Sequence, residues 1–107
     1  MPDAIVVFIT APTCEEARAL ADKLVETQLA ACVQILPEME SVYRWQGKVE
    51  RQPEHLLLAK TTADRFDELE KVVRGMHSYD TPEIVSFPLT NGSASYLRWL
   101  EESVTRS

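Results

Sequence analysis

The sequence predicts an α+β fold in which strands and helices alternate in the order β-α-β-β-α-β, with one additional C-terminal helix. Three observations predict it. The run AIVVFIT (Ala4 to Thr10) is continuous and apolar, as is typical of a strand buried on both faces. Two segments carry apolar residues at helical spacing, and a hairpin with long arms lies between them. This order predicts a ferredoxin-like sandwich, an antiparallel sheet backed by helices.

The first helix is predicted to begin at Thr13, because Thr13 and Glu16 match the S/T-x-x-E capping box. Apolar residues then follow at i, i+3 and i+4 spacing, so one side of this helix is expected to pack on the sheet. The stripe comprises Ala17, Leu20, Ala21 and Leu24. The charged residues between them are interpreted as a solvated face rather than as a site.

A long hairpin is predicted next, with arms Ala31–Trp45 and Lys48–Thr61. Gly47 can supply a positive φ, so Gln46-Gly47 is predicted to be a two-residue turn. Proline cannot donate to a strand ladder, so Pro37 and Pro53 are expected to interrupt the two arms as bulges or edge positions.

The predicted hairpin is longer than its own domain. Arms of about 13 residues reach ~43 Å at ~3.3 Å per residue, whereas a chain of this length has a radius of gyration near ~13 Å and a diameter of roughly 34 Å. The turn pairs Trp45 with Lys48, so Tyr43 and Trp45 lie near the projecting tip. Such rings are enriched at protein interfaces, and they predict an oligomerisation arm. The alternative is that the arms bend and fold the rings onto the chain's own helices.

The remaining elements complete the pattern. A second helix is predicted after a cap at Thr62, or at Thr61 with Asp64. Its apolar stripe comprises Phe66, Leu69, Val72, Val73 and Met76. EIVSFPL predicts the fourth strand, and Asn91-Gly92-Ser93 opens the last helix.

Length and composition set limits on the class of protein. A chain of 107 residues predicts a single domain, residues 1–107. The net charge of −6 argues against nucleic-acid binding, which needs a basic patch. No apolar run approaches the ~18 residues of a membrane span. The two cysteines form no CxxC motif, which predicts a reducing, cytoplasmic location without a disulfide framework.

Five blocks of the sequence, in this order, resemble the CutA family of divalent-cation tolerance proteins: LAACVQI, SVYRWQGKVE, LLLAKTT, HSYDTPEIV and YLRWL. The resemblance spans roughly Ile5 to Leu100. It implies a ferredoxin-like domain assembled as a tight homotrimer, with the long hairpins pairing across subunits, and a role in tolerance of divalent cations such as copper. The family resembles the PII signalling proteins in architecture. The alternative function is therefore a PII-like module that binds a small effector between subunits.

Two residues are candidate ligands for copper or another divalent cation. His77 lies at the predicted end of the second helix, and Cys32 lies in the LAAC block. The alternatives are that His77 caps the helix or walls a cleft, and that Cys32 is a small buried hydrophobe. Their spacing matches no zinc motif, so a complete site would need neighbouring subunits. Cys14 is interpreted as incidental, and His55 as lying on an exposed strand face.

A candidate ligand-binding cleft groups Lys60, Tyr79 and Glu83, which could bind a small anion or polar ligand. The alternative is structural, with Tyr79 and Asp80 in a turn and Glu83 paired to a neighbouring cation. No complete catalytic constellation occurs, so an enzyme is not predicted. In particular, TAPTCEE lacks the Gly-rich anion loop of acylphosphatases, and HLLLAKTT lacks the aromatic residues of RNA-binding sheets.

Overall fold

The computed structural model describes residues 3–105 and contains the predicted elements in the predicted order. They are β1 (Ala4–Ala11), α1 (Cys14–Glu26), β2 (Cys32–Trp45), β3 (Lys48–Thr62), α2 (Phe66–Met76), β4 (Ile84–Pro88) and α3 (Ala94–Val104). The four strands form one antiparallel sheet in the order β2-β3-β1-β4. The predicted α+β fold is therefore confirmed. Within residues 3–105, no helix is long and apolar enough to cross a membrane.

The main core lies between α1, α2 and one face of the sheet. Val7 and Ile9 of β1 and Leu57 of β3 are fully buried on this face. They pack against buried residues of both helices, Ala17, Leu20, Leu24, Leu69 and Val73. Each large side chain removed from water in this way contributes about 1.5–3 kcal/mol. The predicted stripe of α2 is buried at its centre, but Met76 at its end is exposed.

The beginnings of the two core helices differ from the capping predictions. At α1, the Glu16 N–H donates to Thr13 Oγ1 at 3.1 Å, which is half of the predicted capping box. The Glu16 carboxylate instead accepts a hydrogen bond from the Ser78 N–H at 3.0 Å and so ties α1 to the loop after α2. Before α2, Thr62 precedes a 3₁₀ turn (Ala63–Arg65), and its hydroxyl donates to Asp64 Oδ1 at 2.5 Å rather than capping a backbone N–H.

The hairpin has the predicted register and turn. Trp45 pairs with Lys48 and Tyr43 with Glu50, and Gln46 and Gly47 have φ values of 49° and 79°. Two positive φ values are those of a type I′ turn, whose twist suits a hairpin. The molecule is 44 Å long but only 26 and 23 Å across, so the hairpin projects beyond its domain. The rings of Tyr43 and Trp45 are 40% and 53% exposed and do not fold into the helical core.

The two prolines of the hairpin behave differently. The register shifts between Leu36 and Met39, where β2 carries one residue more than β3. This is a β-bulge, the predicted interruption at Pro37. Pro53 is not at a bulge, because it pairs with Glu40 inside the ladder, and it occupies the other predicted kind of position, an edge. Proline is tolerated there because the pairing of β3 with β1 ends at His55, which leaves that side of β3 an edge.

The second face of the sheet is only partly covered. Leu100 and Val104 of α3 are buried there against Ala31. Farther along this face, Leu36, Val85 and Phe87 are 38%, 44% and 49% exposed, and the rings of Phe8 and Phe87 meet edge to face at 5.0 Å. We call this apolar surface, formed by Phe8, Leu36, Val85 and Phe87, the open face.

Candidate functional site

A cleft lies where the sheet changes width. The pairing of β1 with β3 ends at Ala11, and β4 begins only at Ile84, but the β2–β3 hairpin continues beyond both. The hairpin and the loop after α2 therefore enclose a cavity of about 630 Å³, which we call the end cleft. It is lined by Thr10, Ser41, Val42, Tyr43, Trp45, Glu54, Ser78, Tyr79, Asp80, Thr81 and Glu83.

The hairpin supplies one wall of the end cleft. Residues two apart in a strand point to the same side of a sheet, so Tyr43 and Trp45 face one way together. Their partners across the ladder are Glu50 and Lys48, and Glu54 continues the same alternation along β3. The register that sequence reasoning predicted therefore places both rings on the side of the sheet that carries the Glu54 carboxylate.

Glu54 is the functional candidate that sequence reasoning missed. Although it is a carboxylate, it is only 7% exposed. Burial raises the pKa of the Tyr79 phenol, and the negative charge of Glu54 and a hydrogen bond to it raise that pKa further. The phenol of Tyr79 is therefore the donor to Glu54. The available signal was the position of Glu54 in a strand immediately before the apolar run HLLLA, where a charged side chain is rarely buried without purpose.

The end cleft is acidic. Three carboxylates line it, those of Glu54, Asp80 and Glu83, and no Lys, Arg or His side chain is among its lining residues. Tyr79 and Glu83, two of the predicted cleft residues, do share this cavity. An anion would meet only like charge here, whereas a cleft lined by one sign of charge concentrates ligands of the opposite sign.

Lys60, the third predicted cleft residue, is elsewhere in the chain. Its register partners are Val6 and Cys32, and its Nζ lies 5.6 Å from the centre of the Tyr96 ring on α3. The end cleft begins at Thr10, four residues farther along β1 than Val6. The predicted grouping of Lys60 with Tyr79 and Glu83 therefore does not form within one chain, because the sheet places Lys60 near the start of β1 and the cleft near its end.

Cys32 lies beside α3. Its Sγ is 3.8 Å from the Tyr96 hydroxyl, and burial together with Cys32 raises the pKa of Tyr96. Both cysteines are free and partly buried, with Cys14 on α1 at the opposite face of the sheet. The surroundings of Cys32 fit the alternative of a small packed side chain, and they leave its role as a metal ligand a prediction.

His77 is held by contacts within the chain. Its side chain is fully buried. Its Nδ1 accepts a hydrogen bond from the Tyr79 N–H at 3.1 Å, so the neutral ring carries its proton on Nε2, which donates to the Thr10 carbonyl at 2.7 Å. The Glu16 carboxylate lies 3.3 Å from Nδ1. His77 thus joins the end of β1 to the loop after α2, and its imidazole does not cap the last carbonyls of α2.

The described residues hold no group of three or more His, Cys, Asp and Glu side chains that could bind a metal ion. His77 and Cys32 are not brought together, since one contacts the end of β1 and the other contacts α3. Both ring nitrogens of His77 already have partners. A metal site that uses either candidate would therefore need ligands from another subunit, as expected from the sequence.

Comparison with known proteins gives consistent matches. The family model described as "CutA1 divalent ion tolerance protein" matches residues 5–103. A divalent-cation tolerance protein CutA from Thermus thermophilus is 50% identical over 92% of this chain and 95% of its own. The chloroplastic protein CutA of Arabidopsis thaliana is 45% identical over 94% of this chain, which spans only 55% of that longer relative. The solved structure of a Thermus thermophilus divalent cation tolerance protein superposes with a TM-score of 0.94, at 48% identity, over 95% of this chain and 99% of that one.

Proposed function

Because the chain belongs to the family of CutA1 divalent ion tolerance proteins, we propose that it is a homotrimer that binds divalent cations, copper among them. Binding rather than catalysis is the proposed activity. The observation that best supports the trimer is the open face of the sheet. The choice of divalent cations as the ligand follows from the family. The comparisons give no support to the PII-like alternative, because the family model and the relatives described above are CutA proteins.

The open face is the main support for assembly. Leu36, Val85 and Phe87 are each more than one third exposed, and the register places them on the same face of the sheet as Phe8. Soluble monomers rarely leave such a surface to water, and its burial gains about 25 cal/mol per Å². Tyr43 lies on the same side of the sheet, so a neighbouring subunit can cover the hairpin tip and the open face together.

The edges of the sheet support the same proposal. In the described chain β2 and β4 are the outer strands, and β2 runs for 14 residues. A long edge strand with unpaired backbone groups is a template for pairing with another chain. A closed ring of identical subunits covers every such edge equally, and it avoids the open-ended association that one exposed edge invites.

Cation binding would depend on this assembly. Within one chain, Cys32 contacts α3 and His77 contacts the end of β1, so the two candidate ligands are apart. A stable copper site needs several soft or imidazole ligands at one point. A threefold axis would bring three copies of a ligand together where that ligand lies close to the axis. The net charge of −6 also favours cations over anions.

Assembly is tested by native mass spectrometry of the metal-free protein. The unchanged protein is expected as a trimer, and the double variant Tyr43→Ser, Trp45→Ser as a monomer. Val25→Ser is the matched control, because Val25 is equally exposed (43%) but lies on α1, away from the hairpin. A wild-type monomer would contradict the proposal, as would a double variant that remains trimeric.

Cation binding is tested on the same trimer with one equivalent of copper per chain. Uptake in whole-number steps is expected, and it should be lost in Cys32→Ala but kept in Cys14→Ala, since both cysteines are free and partly buried. Equal copper uptake by the two variants would remove Cys32 from the site. A trimer that takes up no copper would leave the assembly standing and remove the copper-binding part of the proposal.

A further inference from the structure

We propose that the partner subunit's Lys60 closes the end cleft and pairs with its carboxylates across each interface of the trimer. This inference rests on the trimer proposed above and deepens it, because it names the contact that joins one subunit to the next. The end cleft lies at one end of the second face of the sheet, and Lys60 lies at the other end of the same face. The two ends complement each other in charge and in aromatic surface.

Threefold symmetry determines what kind of contact the hairpin can make. A twofold dimer joins a patch to its own copy, whereas an interface in a closed ring of three joins two different patches, one from each subunit. The exposed rings of Tyr43 and Trp45 therefore need a second patch, elsewhere on the chain, that complements the end cleft.

A suitable patch lies beside α3. It consists of Lys60 on β3 with Tyr96 and Trp99 on α3, and we call it the α3 patch. The rings of Tyr96 and Trp99 are 37% and 45% exposed, and their centres are 5.5 Å apart. The Nζ of Lys60 lies 5.6 Å from the centre of the Tyr96 ring, within the range of a cation–π contact. The α3 patch is thus aromatic, like the hairpin end, but its charge is positive.

The charges of the two patches are complementary. The end cleft contains Glu54, Asp80 and Glu83 without a cation, and none of these carboxylates nor Lys60 belongs to an ion pair within residues 3–105. Glu54 is also buried, and a buried carboxylate is costly without an opposite charge. Complementary charges across an interface draw the correct patches together and fix their register.

This pairing cannot form within one chain. Lys60 and Glu54 lie six residues apart on β3, which is about 20 Å at ~3.3 Å per residue and too far for a lysine side chain. In a ring where each hairpin end reaches the α3 patch of the next subunit, the open face lies between the two contacts and is covered with them. The grouping of Lys60 with Tyr79 and Glu83 would then be built from two subunits.

Reciprocal charge reversal tests the contact. Lys60→Glu sets a negative charge against the end cleft, and Glu83→Lys sets a positive charge against Lys60. Glu83 is exposed, so a lysine at this position does not have to be buried. Native mass spectrometry of mixed ¹⁵N-labelled and unlabelled protein measures subunit exchange, which should be at least about ten-fold faster in each single variant. Exchange should slow again in the double variant Lys60→Glu, Glu83→Lys, because every interface regains a pair of opposite charges.

A matched control separates this pairing from net charge. Lys60→Glu combined with Glu26→Lys has the same net charge as the double variant, but Glu26 is exposed on α1, on the other side of the sheet. This combination should exchange as fast as Lys60→Glu alone. Lys60→Met, which removes only the charge, should also exchange faster than the wild type, and circular dichroism verifies that each variant is folded.

Mixing the two single variants gives an independent readout. Mixed trimers regain opposite charges at two of their three interfaces, so they should exceed random assortment. Random assortment would overturn the proposal, as would single variants that exchange like the wild type or equal rescue by Glu26→Lys. With a wild-type trimer, these results leave the proposed assembly standing. A wild-type monomer would instead refute the trimer and this contact with it.

Discussion

The contacts of His77 predict that His77→Ala is strongly destabilising. The change removes the donor to the Thr10 carbonyl and the acceptor of the Tyr79 N–H. Thr10 is 5% exposed, so water does not readily replace the lost partner. A buried group left without its hydrogen bond costs about 1–3 kcal/mol. With two such groups and a small cavity, the free energy of unfolding should fall by about 3 kcal/mol.

The assay is guanidinium chloride unfolding followed by circular dichroism, at one fixed protein concentration because oligomer stability depends on concentration. The matched control is His55→Ala, the other histidine of the chain, which is half-buried on β3. It should cost about 0.5 kcal/mol, as changes outside the core usually do. Equal losses in the two variants would refute the reasoning. They would show that the His77 imidazole does not hold the loop.

Three further changes test other parts of the structure. Because burial and then Glu54 raise the pKa of Tyr79 above its ordinary value of 10.0, its contribution to stability is complete below pH 10 and is lost as pH rises through the raised pKa. Tyr79→Phe should therefore flatten the fall of the unfolding midpoint between pH 9.5 and 11.5, roughly the range of tyrosine ionisation, and an unchanged slope would contradict this. Gly47→Ala should lower the free energy of unfolding by about 1 kcal/mol, because φ is +79° although the space around the new methyl group is open. Gln46→Asn should stabilise the same turn. Denaturant midpoints that move the other way would refute the turn assignment. Leu100→Ala should cost about 2–5 kcal/mol, because Leu100 of α3 is fully buried against the sheet. A smaller loss would mean that α3 is loosely docked.

Local chemistry is why the sequence predicted the hairpin so well. Only a residue that tolerates positive φ fits the turn, so Gly47 located it, and the turn alone determined which residues pair along the distal arms. The overshoot then followed from strand geometry. Pro53 shows where local chemistry stops deciding between a bulge and an edge position. A proline disrupts a ladder only where its missing N–H is needed, and that depends on which sides of β3 are paired, a property of the whole sheet.

The candidate site was harder to predict because it depends on how distant elements meet. Tyr79 and Glu83 are close in sequence, and both line the end cleft. Lys60 has a charge that suits such a site, but its distance from them is set by the pairing of β3 with β1. Glu54 was missed because a carboxylate in a strand is usually exposed, and its burial follows from the loop that brings Tyr79 over it. The Glu16 carboxylate does not complete the capping box for the same reason. It accepts a hydrogen bond from the Ser78 N–H, which the loop after α2 brings within reach.

The bulge between Leu36 and Met39 changes which residues of β2, even-numbered or odd-numbered, face a given side of the sheet. On the near side of it, Cys32, Gln34 and Leu36 share a face with Leu56, Leu58 and Lys60; on the far side, the odd-numbered Tyr43 and Trp45 take over that face. If every residue of β2 paired without a bulge, Tyr43 would lie opposite Val49, and strict alternation would turn both rings to the other side of the hairpin. Deleting Pro37 would instead remove the bulge and keep Tyr43 opposite Glu50. The two rings would then stay on the side of the end cleft, so the extra residue bends β2 without deciding where its rings point.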